Sequence, residues 1–290
     1  MKKLVIFFIG IALFLNANSA TQFEPRGPRG VHQLVGESEP FNIDSRHVQY
    51  IKSKDNNKNL MIYAHGGGGL GRADKTRAEL FGTFGFDVLF FDAFAMNGVQ
   101  PLWGNRNLGD ETKQQLVLNV LKGAVKFANA RNYETIVLYG QSNGARSILL
   151  VLNDLEETEQ KAIKLILSEA PSNYGKSMPE KVKIPTYFFV GAMDNWAGKS
   201  EADLMWERHN PIALITNKNW YEKQLEIGSP VHLIVYEGAA HGIHDGPLQA
   251  VERDMGGRGK TIGFRGAKGE ALAHYESDLK RISKQFFIDQ

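Results

Sequence analysis

Cysteine is absent from all 290 residues. That excludes disulfides, cysteine nucleophiles and thiolate metal sites, so covalent catalysis in this chain must use oxygen or nitrogen. A charge excess of either sign is nearly absent too. Lys and Arg number 34 against 32 Asp and Glu, and without Lys2 and Lys3 the balance is neutral, which gives no footing to nucleic acid or to an anionic membrane surface. No stretch rich in Pro, Ser or repeated charge divides the chain, so it reads as one large domain. The apolar run Leu4 to Leu15 is too short for a comfortable transmembrane span. It follows Lys2 and Lys3 and precedes small and polar residues ending at Ala20, which is the order of a secretory signal peptide. Residues 1–20 are therefore expected to direct export to the periplasm or exterior and to be removed. Residues 21–290 then form the mature domain, with no stable membrane association.

What is present centres on Tyr133 to Leu152. Thr135 to Tyr139 is a β-branched and aromatic run suited to a buried strand, and the residues after Gly144 are apolar and helix-compatible. Between them stands Gly140-Gln141-Ser142-Asn143-Gly144, a G-x-S-x-G in the strand-turn-helix setting of a nucleophile elbow. The turn is sharp enough to strain Ser142, and it leaves no room for side chains at Gly140 and Gly144. The Ser142 hydroxyl is thereby expected at a helix N-terminus, where free N–H groups face developing negative charge.

Upstream, His47 to Lys52 reads as an edge strand, as does Gly30 to Val35, and Leu60 to Ala64 as a buried strand running into His65-Gly66-Gly67-Gly68-Gly69. Four glycines in a row add no packing; they let backbone N–H groups approach a ligand closely, as an HGGG-type oxyanion loop does. His65 is expected to brace that loop. A helix from Arg72 to Phe84 leads to a strand over Asp87 to Phe91. The long aromatic loop Asp92 to Asp110 then reads as a wall of a binding site, with Phe94 and Trp103 as candidate substrate contacts. Further strands are expected at Ile163 to Leu167, Thr186 to Val190 and His232 to Tyr236. Strands alternating with helices predict a mostly parallel sheet covered by helices on both faces. Met255 to Gly269 is glycine-rich and basic, and feeds a final helix stepping through Leu272, Tyr275, Leu279, Ile282 and Phe286.

Acyl transfer by serine needs a base, a carboxylate to orient it and donors for the oxyanion. His241, in Gly238-Ala239-Ala240-His241-Gly242, and Asp194, in Gly191-Ala192-Met193-Asp194, each follow a strand, and the chain order Ser142, Asp194, His241 is that of an α/β-hydrolase. His244 is a rival base, and Asp92 and Glu169 are rival acids. Asp92 precedes Ser142 in the chain and Glu169 sits one strand too early. Two histidines at the spacing of His241 and His244, with no third ligand in view, are weak grounds for a metal, so neither a metal nor a cofactor is expected.

The set HGGGGLGR, FFDAF, GQSNGA, GAMDNW and GAAHGI resembles the α/β-hydrolase superfamily, and within it the dienelactone-hydrolase-like family, with serine where the namesake enzymes carry cysteine. The resemblance implies hydrolysis of a small-molecule carboxylic ester or lactone through an acyl-enzyme. It implies Ser142 as nucleophile, His241 as base, Asp194 as its partner, and the N–H groups of Asn143 and Gly67 as the oxyanion hole. The stretch 199–229, between the acid-bearing and base-bearing strands, is long and carries Trp206 and Trp220. It is expected to act as a small lid before the last strand, with both tryptophans and Trp196 as further substrate contacts. A binding protein that kept the fold without turnover, or a small peptidase or acyltransferase of the same superfamily, are the alternatives.

Overall fold

The computed structural model of the chain describes residues 41–54, 58–101, 110–171, 178–196, 218–254 and 260–288. The signal segment, Gly30 to Val35, Trp103 and Trp206 lie outside these residues. Seven strands form one sheet in the order β1-β3-β2-β4-β5-β6-β7: β1 (Val48–Ile51), β2 (Asn59–Ala64), β3 (Asp87–Phe91), β4 (Thr135–Gln141), β5 (Ile163–Glu169), β6 (Thr186–Gly191) and β7 (Val231–Tyr236). Only β1 is antiparallel, against β3; the other pairs are parallel. Each strand expected in this part of the chain is present, its ends within two residues of those read from the sequence.

The central strands read as continuous apolar runs because both faces of the sheet are covered. β4 is buried at all seven positions. Alternate residues serve opposite faces. Leu60, Ile62, Leu89, Ile136 and Leu138 pack with α3 (Asp110–Ala130), α4 (Asn143–Leu150) and Tyr221 of a later helix, α6 (Lys218–Glu226). Met61, Tyr63, Val88, Val137 and Tyr139 pack with α1 (Arg72–Thr83) and the last helix, α7 (Gly269–Ile288). Two short helices, α2 (Ala93–Met96) and α5 (Glu157–Gln160), complete the set among the described residues, beside one 3₁₀ turn at Val151–Asn153. The arrangement is an α/β-hydrolase fold.

At the N-terminal end of β3, Asp87 accepts from Tyr50 Oη (2.6 Å), Lys52 Nζ (2.8 Å), the Ser53 N–H (2.8 Å) and Tyr133 Oη (2.8 Å), tying the edge strand β1 to the sheet. Burial pushes the Asp87 carboxyl up, but these four donors outweigh it and hold it below the usual carboxylate range.

Two parts differ from the sequence reading. The chain after β7 carries a two-stranded antiparallel ribbon, β8 (Gln249–Asp254) and β9 (Lys260–Arg265), the second of them within the glycine-rich stretch from Met255 to Gly269. Its strands are mostly polar, and the one alternation, Ile262 and Phe264 in β9, is too short to mark a strand by periodicity. The expected lid also changes character at its C-terminal end. α6 packs its Trp220 and Tyr221 edge-on against Phe188 of β6, and Trp220 Nε1 donates to the Pro179 carbonyl at 2.7 Å. Trp220 thus packs on the core-facing side of a covering helix. The stretch from 199 to 217 lies outside the described residues.

Candidate active site

Because β2, β4, β5, β6 and β7 run parallel, their C-terminal ends meet at one edge, where loops collect. Ser142 follows β4 with φ 54° and ψ −113°, a left-handed backbone that costs a non-glycine residue roughly 1–3 kcal/mol and that the packing around it must hold. The packing is tight. A Cβ on Gly140 would lie 2.4 Å from the Gly144 carbonyl, and one on Gly144 would lie 2.1 Å from the Ala64 carbonyl. Glycine at both positions lets α4 start directly against the end of β2, and this brings the His65–Gly69 loop beside Ser142.

His241 reaches this point from the loop after β7. Its Nε2 is 3.0 Å from Ser142 Oγ and its Nδ1 is 2.9 Å from Asp194 Oδ2. Asp194 stands just past β6, its other oxygen accepting the Trp196 N–H at 3.0 Å. The two loops touch through backbone: a Cβ on Gly191 would lie 2.5 Å from Ala240 N, and the Met193 N–H donates to the Ala239 carbonyl at 2.8 Å. Serine, histidine and aspartate thus form one hydrogen-bonded line. With Nδ1 protonated towards the carboxylate, Nε2 is left to accept the serine proton.

The rivals are engaged elsewhere. His244 Nε2 lies 2.8 Å from Glu276 of α7. Asp92 caps α2, accepting from the Phe94 and Ala95 N–H groups at 3.1 and 3.0 Å. Glu169 is fully buried and accepts from Tyr139 Oη, Tyr275 Oη (2.6 Å) and the Ile243 N–H (2.8 Å), while the buried Arg77 guanidinium lies 3.8 Å away. Glu169 therefore anchors the loop that carries His241 without touching the imidazole. Burial alone would lower the Arg77 pKa; the Glu169 carboxylate is the largest of several opposing groups that together raise it above the usual guanidinium range. Burial raises Tyr63, Tyr139 and Tyr275 far above the usual phenol range, so they stay protonated as donors.

Two backbone groups are the expected oxyanion donors. Asn143 is the first residue of α4, so its N–H has no acceptor within the helix. Gly67 sits in a turn closed by the Gly69 N–H on the Gly66 carbonyl at 3.2 Å, and its own N–H meets no acceptor among the described residues. His65 braces this loop: its Nε2 accepts the Ala93 N–H at 3.0 Å and its Nδ1 lies 2.7 Å from the Gly66 carbonyl.

The expected substrate contacts fare differently. Phe94 is 1% exposed and packs in the core against the His65 ring, because capping by Asp92 turns the start of the long loop into α2. It is not a wall of the site. Trp196 lies face-on to His241, with centroids 5.1 Å apart and planes 5° apart, and the Arg265 guanidinium lies 5.3 Å from the same indole. It packs on the base, a role the sequence reading did not assign. Arg265 itself was missed, since the short strand that carries it was not read from the sequence.

No protein-family model matches this chain, and no curated protein is similar to it in sequence. Solved structures do match. The chain is similar to the dienelactone hydrolase of Anabaena variabilis at 12% identity, covering 84% of this chain and 94% of that one with a TM-score of 0.51. It is also similar to a dienelactone-hydrolase-like promiscuous phosphotriesterase from metagenomic libraries at 12% identity, covering 82% and 91% with a TM-score of 0.53. At such identity the likeness is one of fold, and that fold is the α/β-hydrolase fold.

Proposed function

We propose that this chain is a serine hydrolase that cleaves a carboxylic ester or lactone through an acyl-enzyme. The observation that carries the reading is the line Ser142–His241–Asp194, at 3.0 and 2.9 Å, on a serine whose backbone is strained to φ 54°. That both solved relatives are hydrolases by description supports the reaction class. Ser142 Oγ attacks the ester carbonyl carbon as its proton passes to His241 Nε2, and Asp194 stabilises the imidazolium. The N–H groups of Asn143 and Gly67 hold the tetrahedral oxyanion. Collapse breaks the bond to the alcohol oxygen, which takes the proton from His241. Water, deprotonated by His241, then attacks the acyl-enzyme and releases the acid.

Hydrolysis of p-nitrophenyl acetate and butyrate by the wild type and Ser142→Ala tests this. Turnover should fall by at least about 10³-fold in the variant, and a fluorophosphonate probe should label Ser142 and no other residue. Equal rates in the two proteins would remove the esterase reading. Export is proposed on residues 1–20 alone, from the charged, apolar and small-residue order of that stretch. N-terminal sequencing of protein recovered from the producing cell tests it, and a retained Met1 would overturn it.

A further inference from the structure

We infer that Asn195 is a positioning residue for the Asp194–His241 pair, acting through strand β9, so that the β8–β9 ribbon sets the contact between acid and base. The inference rests on the triad reading above. Asp194 and His241 ride on loops from different strands, β6 and β7, and an aspartate–histidine bond at 2.9 Å requires the two loops to keep one relative position. β9 grips both. The Asn195 side chain, 5% exposed, docks on it like a short piece of strand: Nδ2 donates to the Ile262 carbonyl at 2.9 Å and Oδ1 accepts the Phe264 N–H at 2.8 Å.

Immediately beyond, the Gly266 N–H donates to the His241 carbonyl at 3.1 Å, and the Ala240 N–H donates to the Gly266 carbonyl at 2.9 Å. Between these grips, Arg265 lies over Trp196, which stacks on His241, and donates to Asp245 in the base loop. Five consecutive residues, 262 to 266, thus hold the residue after the acid at one end and the base itself at the other. A carboxamide that meets a backbone donor and acceptor at once fixes position and direction together, which a single bond or an apolar contact does not. Truncating it leaves the Ile262 carbonyl and the Phe264 N–H without those partners and frees the acid loop to shift. A misplacement of about 1 Å in such a site costs about 10²-fold in rate.

The test uses the full chain with Asn195→Ala and Asn195→Asp, the second keeping the acceptor for Phe264 N–H while losing the donor to Ile262. Two quantities are read: kcat and KM on p-nitrophenyl butyrate, and the low-field proton resonance of the imidazole N–H donated to Asp194. Asn195→Ala is expected to lower kcat about 10- to 100-fold with KM within about twofold, and to broaden or abolish the low-field signal. Asn195→Asp should fall between it and the wild type. A wild-type kcat in Asn195→Ala, or a loss of kcat with the low-field signal unchanged, would overturn the inference. Should Asn195→Ala not fold, wild-type kcat and signal in Asn195→Asp would overturn it as well. The resonance needs no substrate. Its loss in the variant of a chain that hydrolyses no ester would sustain the positioning role while removing the esterase reading.

Discussion

Gly144 stands so close to Ala64 that a single added carbon would lie 2.1 Å from the Ala64 carbonyl oxygen. Two residues before Gly144 is the nucleophile candidate, and one residue after Ala64 begins the glycine loop. The absence of a side chain at Gly144 is therefore what lets the two halves of the proposed oxyanion site meet.

Gly144→Ala is accordingly expected to cost at least about 1–3 kcal/mol of stability, and to reduce ester turnover in the protein that still folds. Gly68 is the control. A Cβ there meets nothing within 4 Å, so Gly68→Ala should melt within a degree or two of the wild type. Thermal unfolding and p-nitrophenyl butyrate turnover on both variants check this; equal behaviour of the two would show that the contact at Gly144 is unimportant.

Asp194→Asn and Glu169→Gln should separate chemistry from support. The first should keep its fold and lose about 10⁴-fold in kcat, since the imidazole loses the partner that sets its tautomer. The second removes charge from a buried group facing Arg77, so stability should fall by about 3 kcal/mol or more, while the folded fraction retains much of its turnover. Melting curves beside kcat per folded molecule give the answer. A stable, inactive Glu169→Gln would move the acid role to Glu169.

Asp87 predicts a pH dependence of stability. The folded protein holds its carboxyl ionised below the usual range. The contribution is therefore complete above about pH 4, the ordinary aspartate value, and is lost as pH falls through the lower folded value. Asp87→Asn should cost about 1–3 kcal/mol at pH 7 and progressively less in acid, where the wild-type carboxyl is itself protonated. Urea unfolding at several pH values measures it; a penalty that grows in acid would contradict the assignment.

Trp220 is assigned here to packing. Trp220→Ala should lower stability by about 3 kcal/mol, from lost contact with Phe188 and a lost bond to the Pro179 carbonyl, and should leave the ranking of acyl chain lengths unchanged. A stable variant with an altered ranking would return Trp220 to the substrate pocket.

The sequence by itself determined the elements that depend on local pattern. Largely apolar runs of five residues placed β2 to β7, the 3.6-residue stripe placed the last helix, and a G-x-S-x-G between strand and helix marked the turn at Ser142, because each is a property of neighbours in the chain. Even the order of Ser142, Asp194 and His241 was legible, since strand ends in a parallel sheet share one edge. What the tertiary structure decided depends on partners far away in the chain. Whether Asp92, Glu169 or Asp194 faces the imidazole turns on which donors surround each carboxylate: a helix start for Asp92, two tyrosines and Ile243 for Glu169, His241 for Asp194. Phe94 and Trp220 look like loop aromatics until Asp92 caps a helix and Pro179 meets an indole. The β8–β9 ribbon carries only the Ile262–Phe264 alternation, too short to mark a strand, because it is held largely by backbone bonds and by a carboxamide from a distant loop, and hydrogen bonds of that kind leave no trace in hydrophobic pattern.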